Sequence, residues 1–459
     1  MSTEDGTPAF TGRLVPGGDP DFDAARVDRV FNRRLATRQP AAVLFAETEQ
    51  DVVDGVRLAR RRGWQVAVRA GGHSWAQWSV RDGALLIDLG AMKEMSYDER
   101  TAVVSVSPAI KGGAELEPFL AEHDRFFNGG HCPTVGLGGF LLQGGQGWNA
   151  RGWGWGAEQI VAIDVVTADG DLVRADATRN SDLYWAARGA GPGFFGVVTR
   201  FHLRTLPRPR HIAHTVQTYP MADFDEVMTW LHGMHHGVAD TVEIVAVGLT
   251  PPRAAGPVLV VTALAFVDDH REALRVLQPF EECPAIGRAL VHQYAKPSSL
   301  AEQRAEQLRA NPEGHRWRVD NAWLHGTAGE IVPAVREAFA GLPNEKAFSI
   351  WFSMAPRRPL PDMAFSLQTD IYFATYVPWD DPADDERYRD WVGDRMRELE
   401  PVTAGQYLGD SDLATRQVKF MADENWRRLG EIRAVRDPGS LFAGYLAGPQ
   451  GALNRNHWE

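Results

Sequence analysis

Apolar side chains recur at helical intervals in TEQDVVDGVRLARRRG, where Val52, Val56 and Ala59 fall on one face and Gly63 suits the helix end. The segment WQVAVRA that follows predicts a strand, and it runs directly into Gly71 and Gly72. GALLIDLG and TAVVSVSP predict two more short strands, and AELEPFLAEHD predicts a helix. From Ile160, IVAIDVVTADGDLVRAD is two strands joined at the turn pair Asp169 and Gly170. Helical spacing returns at Asp182, Leu183, Trp185 and Ala186, and GAGPGFFGVVTRFHLRTL is again a strand. Leu206, Pro207, Arg208 and Pro209 break the pattern and mark a domain boundary. The opening residues mix glycine, proline and acid with no apolar period, so order is expected from about Asp21.

Beyond the boundary, longer strands alternate with helices. In AFSLQTDIYFATYVPW, from Ala364, period-two alternation puts Leu367, Ile371 and Phe373 on one face and Gln368, Asp370, Tyr372 and Tyr376 on the other. A sheet covered by helices on one side and open to a site on the other has this pattern. The last segment, MADENWRRLGEIRAVRDPGSLF, predicts a helix stopped at Asp437, Pro438 and Gly439.

At 459 residues the chain has room for two or three structural units. Its net charge of -12 argues against a nucleic-acid partner, which calls for a basic face. MSTEDGTPAF has neither the basic nor the apolar region of a signal peptide, and VLVVTALAFV, from Val258, falls short of the roughly 18–20 residues of a membrane span. A cytoplasmic protein without a membrane partner is expected. Two cysteines cannot make a disulfide framework; Cys283 is expected to be a small buried hydrophobe.

Several motif classes fail on context. Gly191, Gly193 and Gly196 spell GxGxxG, but a helix precedes them and a strand follows, the reverse of a dinucleotide-binding turn. No GxxxxGK[ST] or GxSxG occurs. His232, His235 and His236, with His131 and Cys132 elsewhere, have no CxxC or HExxH spacing and no carboxylate at ligand spacing, so no metal is expected. Two glycine clusters remain, VRAGGHS beside His73 and CPTVGLGG with GGQGW beside Cys132. Glycines of this kind let backbone amides close on an anion, and they also make plain tight turns.

Read together, PAAVLFAETEQDVVDGVRLAR, VRAGGHS with LLIDL, CPTVGLGG with GGQGW, VVTADGDLVRA, DLYWAARGAGPGFFGVVT and NWRRLGEIRAVRDPGSLF resemble the vanillyl-alcohol-oxidase/p-cresol-methylhydroxylase superfamily. The resemblance is to its berberine-bridge-enzyme-like branch and runs over nearly the whole chain. It implies an α+β fold in which residues 1–207 bind FAD, 208–401 form a substrate domain whose antiparallel sheet roofs the flavin, and 402–459 return to the FAD-binding part.

It also implies that His73 bonds the flavin 8α-methyl and Cys132 bonds ring carbon C6. Imidazole and thiolate are nucleophilic enough for both additions. The pyrophosphate falls to the backbone around Arg69, Ala70, Gly71, Gly72 and Ser74. The ring and ribityl side fall to Thr134, Gly138, Gly139, Gly145 and Gly147, with Trp148 and Val198 completing the cofactor set. Val135, three residues after the cysteine, stands where the branch gates oxygen, and its small size favours an oxidase.

The family's catalytic base on a substrate-domain strand corresponds to Tyr372, counting back from Trp379, with Asp370 and Gln368 as helpers. The chain departs from the family's YxNY motif: in GQYLGDSDL, Tyr407 remains but Gly409 and Asp410 replace Asn and Tyr, so Tyr407 and Asp410 are the remaining candidates. Phe194 likewise stands where an asparagine is commoner. The implied activity is hydride transfer from an alcohol of a carbohydrate or natural product to flavin N5, with dioxygen reduced to hydrogen peroxide. A dehydrogenase or amine oxidase of the same fold is one alternative, and a non-catalytic flavin-carrying binding module is another.

Overall fold

The structure is a computed structural model describing residues 7–446, apart from 412 and 414. The amphipathic stretch after Thr48 folds as the helix Glu49–Arg62. Thr48 and Asp51 close a reciprocal capping box, and Gly63 ends the helix in the left-handed region at φ 68°. Asp51 also accepts hydrogen bonds from the amides of Thr11 (2.7 Å) and Gly12 (3.2 Å). That tether lets strand β1 (Arg13–Pro16) pair with β2 (Ala42–Phe45), so order begins well before Asp21. The apolar periodicity misses this because a single carboxylate holds the segment.

Strands β3 (Val66–Arg69) and β4 (Leu85–Asp88) complete a four-stranded sheet of order β1-β2-β4-β3, in which β2 and β3 run parallel to β4. An antiparallel five-stranded sheet follows: β5 (Met95–Asp98), β6 (Val103–Val106), β8 (Ile160–Val166), β9 (Leu172–Asp176) and β10 (Val197–Arg204), in the order β5-β6-β10-β8-β9. Between them β7 (Arg125–Phe126) pairs with β11 (Leu206–Pro207).

The third sheet has eight antiparallel strands, β12 (His211–Pro220), β13 (Val242–Leu249), β14 (Val258–Val267), β15 (Val291–Ser298), β16 (Arg316–Leu324), β17 (Phe348–Ser353), β18 (Ile371–Trp379) and β19 (Thr403–Gly405). Their order is β15-β12-β14-β13-β17-β18-β16-β19. Helices Phe224–Met234, His270–Leu277, Ala328–Ala340 and Asp385–Glu398 cover one face, burying Leu231, Leu277, Phe339 and Val392 against Ala246, Ala263, Phe373 and Val377. The opposite face, with Tyr372 and Tyr376, joins the core of the first two sheets.

The alternation on β18 is as the sequence predicts, but the strand starts only at Ile371. The amides of Ala364 and Phe365 bond instead to the carbonyls of Trp185 (3.2 Å) and Arg188 (2.8 Å), which holds this stretch out of the sheet. Leu367, Gln368 and Asp370 therefore do not share faces with the strand residues. After helix Asp423–Arg436, Asp437 accepts from the amides of Leu441 (2.7 Å) and Phe442 (3.1 Å), and Phe442 lies beside Val66 of β3.

Candidate active site

The loop after β3 and the loop carrying Cys132 touch backbone to backbone. A Cβ on Gly71 would lie 2.6 Å from the amide nitrogen of Gly136, so the contact exists only because both positions lack side chains. Gly72, at φ 76°, turns the chain where a Cβ would meet the carbonyl oxygen of Arg29. The turn delivers His73 onto the face of Phe31, with ring centroids 4.5 Å apart.

His73 and Cys132 then meet at one hydroxyl. Thr134 Oγ1 lies 3.1 Å from His73 Nε2 and 3.5 Å from Cys132 Sγ. Burial, helped by the positive charge of Lys111, lowers the His73 pKa to about 4, so its imidazole is neutral and keeps a lone pair at neutral pH. Burial raises the Cys132 thiol, against the hydrogen bonds from Thr134. A standing thiolate is therefore not what the site holds: the sulfur must lose its proton as it attacks.

A cavity of about 760 Å³ opens beside this pair. Of the residues expected around a cofactor, Arg69, Ala70, Gly71, Gly72, Ser74, Val135, Gly138, Gly139, Trp148 and Val198 line it. Thr134 sits behind the His73 and Cys132 side chains. Gly145 is a packing position, where a Cβ would press on Phe140 at 2.9 Å, and a Cβ on Gly147 would strike the carbonyl oxygen of Asn128. These three do not form the wall. The Arg69 guanidinium is also turned inward, onto buried Asp88 (2.5 Å) and the carbonyls of Arg26 (2.6 Å) and Ala25 (2.7 Å), which leaves only its backbone toward the cavity.

Across the cavity Tyr372 donates to Asp410 Oδ2 at 2.5 Å, Tyr376 donates to the same oxygen at 3.0 Å, and Trp75 Nε1 donates to Asp410 Oδ1 at 2.9 Å. Burial first, and then the Asp410 charge, push both phenols well above their ordinary range. The loop bearing Asp410 is clamped by Asn321 of β16, which bonds both the amide (2.7 Å) and the carbonyl (2.8 Å) of Tyr407. The Tyr407 hydroxyl accepts from the amides of Gly145 and Gln146, each at 3.2 Å, and is held as a fixed part of the wall.

Asp370 and Gln368 lie elsewhere. Asp370 pairs with His236 at 3.1 Å near the surface, and Gln368 accepts from Trp155 Nε1 at 2.9 Å. Asp370 thus joins His235 and His236, so a carboxylate does accompany these histidines, contrary to what the linear spacing suggests. Two features went unread in the sequence. Trp75 holds Asp410, and its only linear signal is its place two residues after His73. His131 Nε2 pairs with Glu243 at 2.9 Å on the cavity wall, across 112 positions that no local motif spans.

A family profile described as an FAD binding domain matches residues 40–176. The FAD-linked oxidoreductase nodO of Hypoxylon pulicicidum is 36% identical over 428 residues, covering 93% of this chain and 95% of that protein. The chain belongs to the FAD-linked oxidoreductases. Its fold is that of the berberine-bridge-enzyme-like protein 1 of Physcomitrella patens, with a TM-score of 0.83 at 20% identity over 96% of this chain and 97% of that one. It is likewise that of the glucooligosaccharide oxidase of Acremonium strictum, with a TM-score of 0.82 at 18% identity over 95% and 96%.

FAD fits the cavity of this oxidoreductase. Among the described residues, the amides of Gly71, Gly72, His73 and Ser74 donate to no protein acceptor, and so form a concavity able to take a pyrophosphate without a cationic side chain. A Cβ on Gly139 would meet no atom within 4 Å, leaving flat space on the wall beside Val135. No helix among the described residues is long and apolar enough to cross a membrane.

Proposed function

We propose that this FAD-linked oxidoreductase is an oxidase whose flavin is bonded to both His73 and Cys132, and that it oxidises an alcohol group of a carbohydrate or natural product. Bound FAD supplies a hydride acceptor at N5 and a route for the electrons to dioxygen, giving hydrogen peroxide. The 8α-methyl and C6 both belong to the benzenoid ring, so a double linkage needs two nucleophiles that converge. His73 and Cys132 converge on the Thr134 hydroxyl. Thr134 engages Nε2 of the imidazole, leaving Nδ1 to carry the bond. The Acremonium strictum oxidase carries a 6-S-cysteinyl, 8α-N1-histidyl FAD, the same pair of residue types.

The observation that carries the reading is the short hydrogen bond from Tyr372 to Asp410 on the wall facing these anchors. The raised phenol does not serve as a standing phenolate. Tyr372 accepts the substrate hydroxyl proton as its own proton passes to Asp410 Oδ2, so the carboxylate is the proton sink. Tyr376 and Trp75 fix that carboxylate in place. Val135, small and on the wall, supports oxygen access and thus an oxidase.

Acid precipitation tests the linkage: the yellow colour should stay with the protein pellet, survive either His73→Ala or Cys132→Ala, and leave only in the double variant. Oxidase chemistry is tested by peroxide released during turnover in air. A flavin that bleaches anaerobically with substrate yet is not reoxidised by air would replace the oxidase by a dehydrogenase.

A further inference from the structure

The cavity extends from the flavin side along the uncovered face of the eight-stranded sheet. Alternate residues of neighbouring strands point into it: Val245, Val247 and Leu249 from β13, Leu264 from β14, and Ile350 and Phe352 from β17. Their chain neighbours Ala246, Gly248 and Trp351 are buried under the helices on the other face. All six cavity residues except Leu264 remain partly exposed. Apolar area left open inside a concave site, and not on the outer surface, is area for a ligand to cover.

Within this wall, charge is confined to Glu243, and both of its oxygens are committed, Oε1 to His131 and Oε2 to the amide of Asn149 at 2.6 Å. The pair holds the His131 ring against Trp148 and Phe352, at centroid distances of 4.3 and 5.3 Å. Because Glu243 engages Nε2, Nδ1 is the ring atom left for a ligand. Gln303, Glu306 and Gln307 of helix Leu300–Ala310, with Lys346, stand around the same cavity and give it a polar rim. A sugar ring pressed on the apolar wall would bury hydroxyls without partners, whereas a hydrocarbon scaffold would lose none.

We propose that the substrate is a fused-ring or branched hydrocarbon alcohol with few oxygens, whose scaffold lies on Val245, Val247, Leu249, Ile350 and Phe352 and whose one further polar group is read by His131. This rests on the oxidase reading above and narrows its substrate class away from carbohydrates. The oxidised hydroxyl faces Tyr372, and His131, on the other side of Phe352, sets which end of the scaffold enters first.

The test uses the purified, flavin-loaded protein. Under anaerobic conditions it is titrated with a sterol, menthol and farnesol, and in parallel with glucose, cellobiose and xylobiose, while flavin absorbance is followed both for spectral perturbation on binding and for bleaching on reduction. The expected result is perturbation and bleaching by at least one hydrocarbon alcohol at concentrations where no sugar acts. Val247→Asn and Ile350→Asn should then weaken that ligand by about tenfold or more, as an unpartnered polar group in the wall would. His131→Gln should raise KM with kcat little changed. Flavin content and the visible spectrum of each variant report that it is folded and loaded.

Perturbation by hydrocarbon alcohols with no bleaching would overturn the oxidase reading and leave the apolar cleft standing. Action by the sugars alone, or binding by neither class, would overturn the apolar substrate. Unchanged affinity in both wall variants would do the same.

Discussion

Asp410→Asn tests the proton path directly. The substitution is isosteric: Trp75, Tyr372 and Tyr376 all donate to Asp410, and an amide oxygen still accepts from them, so the wall keeps its shape. What disappears is the charge and the ability to take the Tyr372 proton. Positioned general bases contribute roughly 10²–10⁴ in rate, which corresponds to about 3–5 kcal/mol of barrier. The expected outcome is a loss of that order in the anaerobic rate of flavin reduction at saturating substrate, with KM changed little, because the carboxylate acts through Tyr372 and does not hold the scaffold. Burial is the main cause of the raised Tyr372 pKa and the Asp410 charge the next. Neutralising the charge lowers the phenol only in part, so Tyr372 stays protonated near neutral pH and the variant's rate climbs toward alkaline pH. A variant that reduces its flavin within about threefold of the wild-type rate, far short of what a general base supplies, would refute the assignment.

Thr134→Val removes the hydroxyl shared by His73 and Cys132, and is expected to slow covalent attachment while FAD still binds, measured as acid-precipitable flavin against time after mixing apoprotein with FAD. Because the folded pKa of His73 is depressed to about 4, its contribution to apoprotein stability is present above the ordinary histidine pKa near 6.5 and is lost as pH falls from there through about 4. Chemical denaturation across that window should show a smaller decline in His73→Asn, and equal declines would remove the buried, neutral imidazole from the account. Asp88→Asn leaves the buried Arg69 guanidinium without its charge partner and should cost about 3–5 kcal/mol in urea unfolding, where a loss under 1 kcal/mol would mean that water reaches the pair.

The parts of the site that could be read from the sequence are those where chemistry and local pattern coincide. His73 and Cys132 each sit beside a glycine turn, and period-two alternation from Ile371 onward puts Tyr372 and Tyr376 on one face, as the structure has them. The same alternation continues backward in the letters through Asp370 and Gln368, yet there the chain obeys the carbonyls of Trp185 and Arg188, far away in sequence. Asp51 shows the same limit at the other end: as a helix-capping residue it is legible, as the tether for Thr11 and Gly12 it is not. Glu243 reads as one polar residue in a β-strand, and only the fold brings it to His131.

The departure from the family's YxNY motif takes on a different meaning in the structure. Replacement of its last tyrosine by Asp410 looks, in sequence, like the loss of a base. In space Asp410 reaches a tyrosine on the facing strand, so phenol and carboxylate are both present, the acid on the loop and the phenol on β18. The adjoining Gly409 belongs to the same change: a Cβ there would lie 2.3 Å from the Tyr407 ring, and Tyr407 is held by Asn321 and by the amides of Gly145 and Gln146. With Tyr407 fixed, the loop passes it only as glycine and delivers Asp410 to Tyr372. The two altered letters of the motif are therefore one device, a tight turn and the carboxylate it aims.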